Sequence, residues 1–213
     1  PLFERTARMV RLTRFGEEFA PRARDILRAV DELSDIARAS RERLSGRLRL
    51  GVIPTIAPYL LPRVIRDITQ DHAELDIHVR ETVTPRLVSE LEEGRLDAAI
   101  VALPVAGAAF TRMPLFDERL LLVRPANQAD APVPDRERLR DMRLLMLEEG
   151  HCFRDQTLSF FGLPVSAPRE GLDGSSLSTL VQMVGAGVGV TLIPEMAVPV
   201  ETRSAPVAVA RFA

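Results

Sequence analysis

The order of strand-like and helix-like segments between residues 47 and 103 limits the fold more than any other feature of this sequence. Three apolar segments with the patterns typical of strands alternate with two segments whose apolar residues recur at helical spacing. In chain order these segments are residues 47–53, 56–71, 75–81, 84–93 and 96–103. Thr84 is the predicted N-cap of the second helix, and Pro85 suits its first turn. This order predicts an α/β fold built on a parallel sheet.

The C-terminal half continues the mixture of strands and helices. Residues 142–147 are apolar except for Arg143 and predict a strand, and a later helix is expected to have Ser175 or Ser176 as its N-cap. The glycines of 185–189 follow that helix and precede a strand, whereas a dinucleotide-binding turn follows a strand and precedes a helix. The order therefore excludes a Rossmann nucleotide site and predicts a helix end with a tight turn.

A single long helix is predicted over residues 13–44, with Thr13 as its N-cap. Its apolar residues are spaced alternately four and three apart, with Ser40 in one slot, and form a heptad seam. The apolar members are Phe19, Ala23, Ile26, Val30, Leu33, Ala37 and Leu44. Because such a helix is about 45 Å long, a short neighbour cannot cover its seam. We therefore expect the seam to pair with a second chain; the alternative is a helix lying along its own domain.

Composition and charge set limits on partners and compartment. The chain is 46% hydrophobic and 27% charged, with a formal net charge of −2, so overall charge does not indicate nucleic acid or membrane. One cysteine excludes an intrachain disulfide and a multi-thiol metal site, and we predict neither metal nor cofactor. No apolar run is long enough to span a membrane, and no signal-peptide pattern begins the sequence. We therefore expect a reducing, cytoplasmic location.

The first residues carry a local basic cluster. Arg5, Arg8, Arg11 and Arg14 share this stretch with one acid, Glu4. Clustered arginines are typical of contact with a polyanion such as DNA. The alternative is a solvated arginine face, and the residues alone leave both interpretations open.

The one cysteine, Cys152, lies between the predicted strand 142–147 and a helix predicted to open at Asp155. A thiol reacts as its thiolate, which neighbouring positive charge stabilises. His151 and Arg154 can supply that charge, Asp155 can orient Arg154 or accept a proton, and a helix N-terminus favours an anion. The alternative is an unreactive thiol that behaves as a small apolar side chain.

Several strings resemble LysR-type transcriptional regulators. Pro1–Thr13 is similar to the end of that family's winged helix-turn-helix domain, just before its dimerising linker helix. The Ile53-Pro54-Thr55 turn, the Gly94–Asp97 step and residues 185–194 resemble the family's effector domain. Three strings more specifically resemble the peroxide-sensing OxyR branch: Gly150–Gln156, Ile53–Pro62 and Pro114–Glu118.

The resemblance implies an α/β, two-lobed, periplasmic-binding-protein-like effector domain preceded by a long dimerisation helix. The implied segments are the end of the DNA-binding domain, the linker helix with its hinge, and two lobes, at residues 1–12, 13–46, 48–124 and 125–213. The return of the chain to the first lobe is expected to lie outside this sequence. The resemblance also implies homodimers or homotetramers on promoter DNA, contact with RNA polymerase, and no enzymatic activity.

The resemblance further implies roles for individual residues. Cys152 matches the thiol that hydrogen peroxide oxidises, and the other matched residues surround it or hold peroxide. Those that surround it are His151, Arg154 and Asp155, and those expected to hold peroxide from the first lobe are Thr55 and Thr84. The dimerisation seam is represented by Phe19, Ile26, Val30 and Leu33.

One position departs from the two-cysteine OxyR pattern, in which a second cysteine lies nine residues after the first. Here that residue is Phe161, so the intramolecular disulfide cannot form. A sulfenic acid on Cys152 is then expected to persist, pass to glutathione or bridge to another chain. The departure keeps a second hypothesis open, in which the cleft binds a small organic anion through Thr55, Thr84 and Arg154 and the thiol is inert.

Two other classes of protein fit less well. A thiol peroxidase or hydrolase would need His151 as a base for Cys152, but adjacent residues of an extended segment point to opposite faces. Such an enzyme would also need a resolving thiol to turn over. A secreted solute-binding protein would share the fold, but the heptad helix and the missing signal peptide argue against it.

Overall fold

The computed structural model describes residues 1–6, 9–39, 45–105, 110–162 and 173–212. These residues form two compact units. The first comprises residues 1–48 and 68–77, and the second comprises residues 49–67 and 78–213.

The first unit opens with an antiparallel hairpin of β1 (Phe3–Thr6) and β2 (Met9–Leu12), followed by helix α1 (Arg14–Ala39). Thr13 caps α1 as predicted, because its hydroxyl accepts a hydrogen bond from the Gly16 amide at 2.9 Å. Residues 40–44 of the predicted helix, and the side chain of Ala37, lie outside what the structure describes. Neither α1 nor any other described helix is long and apolar enough to cross a membrane.

A three-stranded sheet has the order β4–β3–β5, with β3 (Gly46–Val52) between β4 (Leu75–Glu81) and β5 (Ala98–Ile100). β3 and β5 are parallel, and helices α2 (Ala57–Asp71) and α3 (Thr84–Glu92) alternate with the strands, which confirms the predicted α/β pattern. β5 is shorter than the predicted strand 96–103. The Leu96 amide donates to the Glu90 carbonyl of α3, so that residue still belongs to the helix connection.

A second sheet is antiparallel and has three strands. Its central strand β6 (Leu120–Pro125) pairs with β9 (Thr191–Pro194) and with β10 (Val207–Ala210). β6 precedes the predicted lobe boundary at residue 125 but pairs with strands that follow it. The boundary itself stays a prediction.

The largest apolar cluster surrounds this second sheet. The elements that pack in this cluster are α4 (Arg136–Asp141), β7 (Met146–Leu147), α5 (Cys152–Phe160), α6 (Leu177–Gly185) and α7 (Val198–Glu201). A short parallel strand, β8 (Asp173–Gly174), pairs with β7. Phe161, Leu180 and Leu192 are fully buried in this cluster. The predicted strand 142–147 is reduced to β7 and a single parallel bridge from Leu144 to Val190.

The turn after α6 matches its prediction. Ser176 caps the helix by accepting from the Thr179 amide at 3.2 Å. The chain then turns at Gly187, whose φ of +76° favours glycine. A Cβ on Gly189 would lie 2.2 Å from the Arg143 carbonyl oxygen, so this close approach of two backbones also requires glycine.

Candidate functional site

Cys152 is the first residue of α5, three residues before the predicted helix start at Asp155. β7 ends at Leu147, and the chain turns at Gly150, whose φ of +93° is readily adopted by glycine. The turn brings the thiol into the first turn of a helix, where unpaired backbone amides and the helix dipole favour an anion.

The thiol packs beside the start of α3. Cys152 is partly buried against an apolar cluster formed by Ile53, Leu87 and Leu96. A Cβ placed on Gly150 would lie 3.7 Å from the Val83 side chain, so the turn that carries the thiol contacts the residue preceding α3. The turn that carries the thiol therefore packs next to the start of α3, and Cys152 itself contacts the apolar cluster that includes Leu87.

Thr84 begins α3, but it does not cap the helix. The N-cap position belongs to Val83, so the capping prediction for Thr84 is wrong. The Thr84 hydroxyl oxygen is buried and has no hydrogen-bond partner among the described residues. Because buried hydroxyl groups normally have a partner, the unpaired oxygen of Thr84 is an unusual feature of the residues around the thiol.

Arg154 is held on the other side of the turn. Its Nη1 atom donates to the Leu147 carbonyl oxygen at 2.9 Å and lies 3.1 Å from the Asp173 carboxylate. Asp173, and not the exposed Asp155, therefore orients the guanidinium group. Of the two roles considered for Asp155, orienting Arg154 therefore falls to Asp173. The other role, accepting a proton, stays a prediction.

His151 is buried, with 7% of its surface exposed. Burial lowers the pKa of its imidazole below the usual value, against a smaller opposing effect of the Glu148 charge. The imidazole is therefore neutral near neutral pH and does not supply the predicted positive charge. Within the part of the chain that the structure describes, its side chain has no hydrogen-bond partner.

A cavity of about 340 Å³ lies next to the thiol segment. Of the predicted site residues, Thr55 and His151 line it, so the structure brings these two together. The remaining predicted residues, Thr84, Cys152, Arg154 and Asp155, are not in its wall. The polar lining that sequence reasoning missed consists of Tyr59, Glu81, Thr82, Ser175, Ser176, Ser178 and Glu201.

Glu201 is the more buried of the two acids in this wall, with 9% of its surface exposed. The Tyr59 hydroxyl donates to its Oε1 atom at 2.6 Å, and the Ser178 hydroxyl donates to its Oε2 atom at 2.5 Å. Burial, followed by the hydrogen bond and charge of Glu201, raises the pKa of the Tyr59 phenol far above its usual value. The phenol therefore remains a donor. Tyr59 and Glu201 are 142 positions apart, so no local sequence pattern indicated the contact.

Comparison with known proteins identifies the family. The family described as the LysR substrate binding domain matches residues 41–213. A probable hydrogen peroxide-inducible genes activator of Streptomyces viridosporus is 43% identical, over all of this chain and 69% of that protein. The DNA-binding transcriptional dual regulator OxyR of Escherichia coli K12 is 41% identical, over 95% of this chain and 67% of that protein.

Solved structures agree with the sequence relatives. A cysteine-to-serine mutant of Corynebacterium glutamicum OxyR with hydrogen peroxide bound superposes with a TM-score of 0.79 at 33% identity, over all of this chain and 68% of that one. Full-length Pseudomonas aeruginosa OxyR carrying a cysteine-to-aspartate change gives a TM-score of 0.76 at 35% identity, over 100% and 70% of the two chains. The predicted periplasmic-binding-protein-like α/β fold is therefore confirmed. This chain belongs to the LysR family of transcriptional regulators and is an OxyR-like member of it.

Proposed function

We propose that this chain is the regulatory part of an oxidative-stress transcription regulator that senses hydrogen peroxide by oxidation of Cys152. The names of its relatives, which are hydrogen peroxide-inducible activators, support the class of regulator. The observation that carries the assignment to Cys152 is its position: a partly buried thiol in the first turn of α5, packed against α3.

The proposed reaction is a two-electron oxidation of the thiolate. The Cys152 sulfur attacks one peroxide oxygen, the sulfur–oxygen bond forms and the oxygen–oxygen bond breaks. The departing hydroxide takes a proton and leaves as water, and the sulfur becomes a sulfenic acid. The reacting sulfur lies in the first turn of α5. Thr84 and Thr55 are proposed to orient the peroxide, and the unpartnered hydroxyl of Thr84 supports that role.

We propose that oxidation ends without an intramolecular disulfide. The chain has no second cysteine, and Phe161, at the corresponding position, is fully buried. Position 161 is at the far end of α5 from Cys152, about 13 Å away at the helical rise per residue. A disulfide requires Cα atoms within about 7 Å. The sulfenic acid is therefore expected to persist, react with glutathione or bridge to another chain.

We also propose the domain order and partners of the wider family for this chain. Residues 1–12 would end the DNA-binding domain, 13–46 would form the linker helix and hinge, and 48–124 and 125–213 would form the two lobes. The protein would act as a homodimer or homotetramer on promoter DNA and contact RNA polymerase. The exposed heptad residues of α1 support the dimer.

The organic-anion hypothesis has less support. Glu81 and Glu201 place two carboxylates in the cavity wall, and among the residues that the structure describes no arginine lines it. Arg154, the cation proposed for that role, is paired with Asp173 instead. An anion entering this cavity would meet like charges without a counter-charge.

Intact-mass analysis tests the peroxide proposal directly. The reduced chain is treated with low peroxide, with and without a sulfenic-acid trap, beside a Cys152→Ser control. We expect rapid addition of one oxygen that the trap converts to its adduct, and no addition in the control. If the thiol stays unmodified at peroxide levels that oxidise a reactive thiol, Cys152 is not the sensor.

A further inference from the structure

Three phenylalanine rings meet at the C-terminal end of α5. The rings of Phe160 and Phe161 pack edge to face with 5.5 Å between their centroids, and the ring of Phe212 lies 4.8 Å from that of Phe160. Both distances are typical of attractive contacts between aromatic rings. Phe212 lies just after β10, so this aromatic cluster joins the last turn of α5 to the chain beyond the second sheet.

Phe161 anchors the aromatic cluster in the core. Its side chain is fully buried in the largest apolar cluster. Its amide donates to the Thr157 carbonyl oxygen at 3.1 Å, and the amide of Gly162 donates to the Ser159 carbonyl oxygen at 3.0 Å. Gly162 then ends the helix with a φ of +63°, which glycine adopts readily. Because this end of α5 is both capped and buried, it is expected to open less often than a helix end in water.

The other end of α5 packs against a different group of side chains. Cys152, in its first turn, is partly buried against the apolar cluster of Ile53, Leu87 and Leu96. Leu87 belongs to α3 and is fully buried. The two ends of α5 are thus held differently: the C-terminal end by large aromatic rings in the main core, and the thiol end by a smaller apolar contact with α3.

An atom added to the Cys152 sulfur needs space at the contact with α3. Protein interiors are close-packed, so neighbouring groups must move when a buried side chain grows. α5 has two ways to respond: it can open, or it can shift its first turn while the helix stays folded. Opening would separate the three rings and expose Phe161, whose burial contributes strongly to stability. The smaller contact with α3 is therefore the one expected to rearrange.

We propose that the aromatic cluster keeps α5 folded when Cys152 is oxidised, so that the change reaches α3 through the first turn of α5. This inference rests on the proposed peroxide reaction and adds a route by which the oxidised thiol alters the packing around it. The route needs no second thiol, which agrees with the single cysteine of the chain. Phe161 then stabilises the helix that transmits the change, and it does not take part in the oxidation itself.

Hydrogen exchange measured by mass spectrometry tests this route in the 213-residue chain. The reduced chain is compared with the chain oxidised to the sulfenic acid and with Cys152→Met, which lengthens the side chain without any reaction. In both, we expect exchange over residues 155–160 to stay within about threefold of the reduced chain, and exchange over residues 84–92 to change by more than that. A change above this limit in α5, or one below it in α3, would overturn the proposal.

The two altered chains also separate this inference from the proposed function. If peroxide adds no oxygen to Cys152, the sensor proposal fails. Cys152→Met then still shows whether a larger side chain at this position alters α3 while α5 stays folded.

Variants of the aromatic cluster test its part in the route. In Phe161→Ala, we expect oxidation, or Cys152→Met in its place, to speed exchange over residues 155–160 by more than about threefold, because the helix end is no longer anchored. Phe116→Ala removes an exposed ring outside the cluster and is expected to behave like the unaltered chain. If Phe161→Ala does not fold by circular dichroism, Phe212→Ala decides, since Phe212 is only partly buried. A smaller change in α5 of the deciding variant would contradict the role of the aromatic cluster.

Discussion

At the scale of single residues, a substitution of Thr84 can separate an effect on the oxidation of Cys152 from an effect on the free energy of unfolding. Its buried hydroxyl has no partner in the described structure, so replacing it with valine breaks no internal hydrogen bond. We therefore expect Thr84→Val to unfold in urea at the same free energy as the unaltered chain, or slightly above it, because the unsatisfied polar group is gone. If the hydroxyl orients peroxide, the same variant forms sulfenic acid on Cys152 several-fold more slowly, as trapping and mass analysis would measure.

Thr191 provides the matched control for that substitution. Its hydroxyl is buried too, in a residue that is more fully buried than Thr84, but it donates to the Leu145 carbonyl oxygen at 2.9 Å. Thr191→Val should therefore lower the free energy of unfolding by about 1–2 kcal/mol and leave sulfenic-acid formation unchanged. Normal oxidation of Thr84→Val would show that this hydroxyl has no part in the reaction.

The sequence predicted that the thiol lies between a strand and a helix, as the structure shows, but it did not predict which side chains contact each other around it. Cys152 was identifiable because it is the one cysteine and is flanked by charged residues. The sequence could not show that burial keeps His151 neutral or that Arg154 turns towards Asp173, because both depend on distant packing. Glu201 was missed for the same reason, since its partner Tyr59 is on another helix.

At the scale of elements, α5 is the part most directly tied to the sensor residue. Arg154 joins the first turn of α5 to β7 through the Leu147 carbonyl and to β8 through Asp173, and its side chain is only 12% exposed. We expect Arg154→Ala to lower the free energy of unfolding by roughly 2 kcal/mol, because it removes charge-assisted hydrogen bonds from a mostly buried group. Amide hydrogen exchange over residues 152–160 should quicken, since α5 loses its attachment.

Arg211 gives an exposed ion pair for comparison. It pairs with Glu195, but its side chain is 67% exposed, so water and salt weaken the interaction. Arg211→Ala should cost less than about 1 kcal/mol and leave exchange in α5 unchanged. Equal losses in the two variants would mean that Arg154 has no special role in holding α5.

Element types were easier to predict than element ends. The first five strands and helices of the effector region were predicted in the right order, because apolar spacing reports directly which face is buried. The start of α5 was placed three residues late, and Thr84 was wrongly given a capping role. Caps and short strands depend on hydrogen bonds with other parts of the chain, as the Leu96 amide shows by bonding to α3.

At the scale of the whole molecule, the heptad seam of α1 argues for assembly. Within its own unit the seam is open: Phe19, Ile26, Val30 and Leu33 are 45% to 67% exposed. Periodic apolar residues left in water favour pairing with a second helix, which removes their surface from solvent. The sequence predicted these exposed apolar positions from their spacing alone.

Charge substitution in the seam tests the predicted dimer. Ile26→Glu combined with Leu33→Glu places four acids in a paired seam, two from each chain, and like charges in a desolvated contact disfavour association. We expect the unaltered chain to sediment as a dimer or larger species and the double variant as a monomer with the same far-ultraviolet circular dichroism. Arg24→Glu lies off the seam on the same helix and should keep the assembly. Two results would show that α1 does not pair: the unaltered chain sediments as a monomer, or the double variant still assembles. The exposed apolar residues of α1 would then require a different partner.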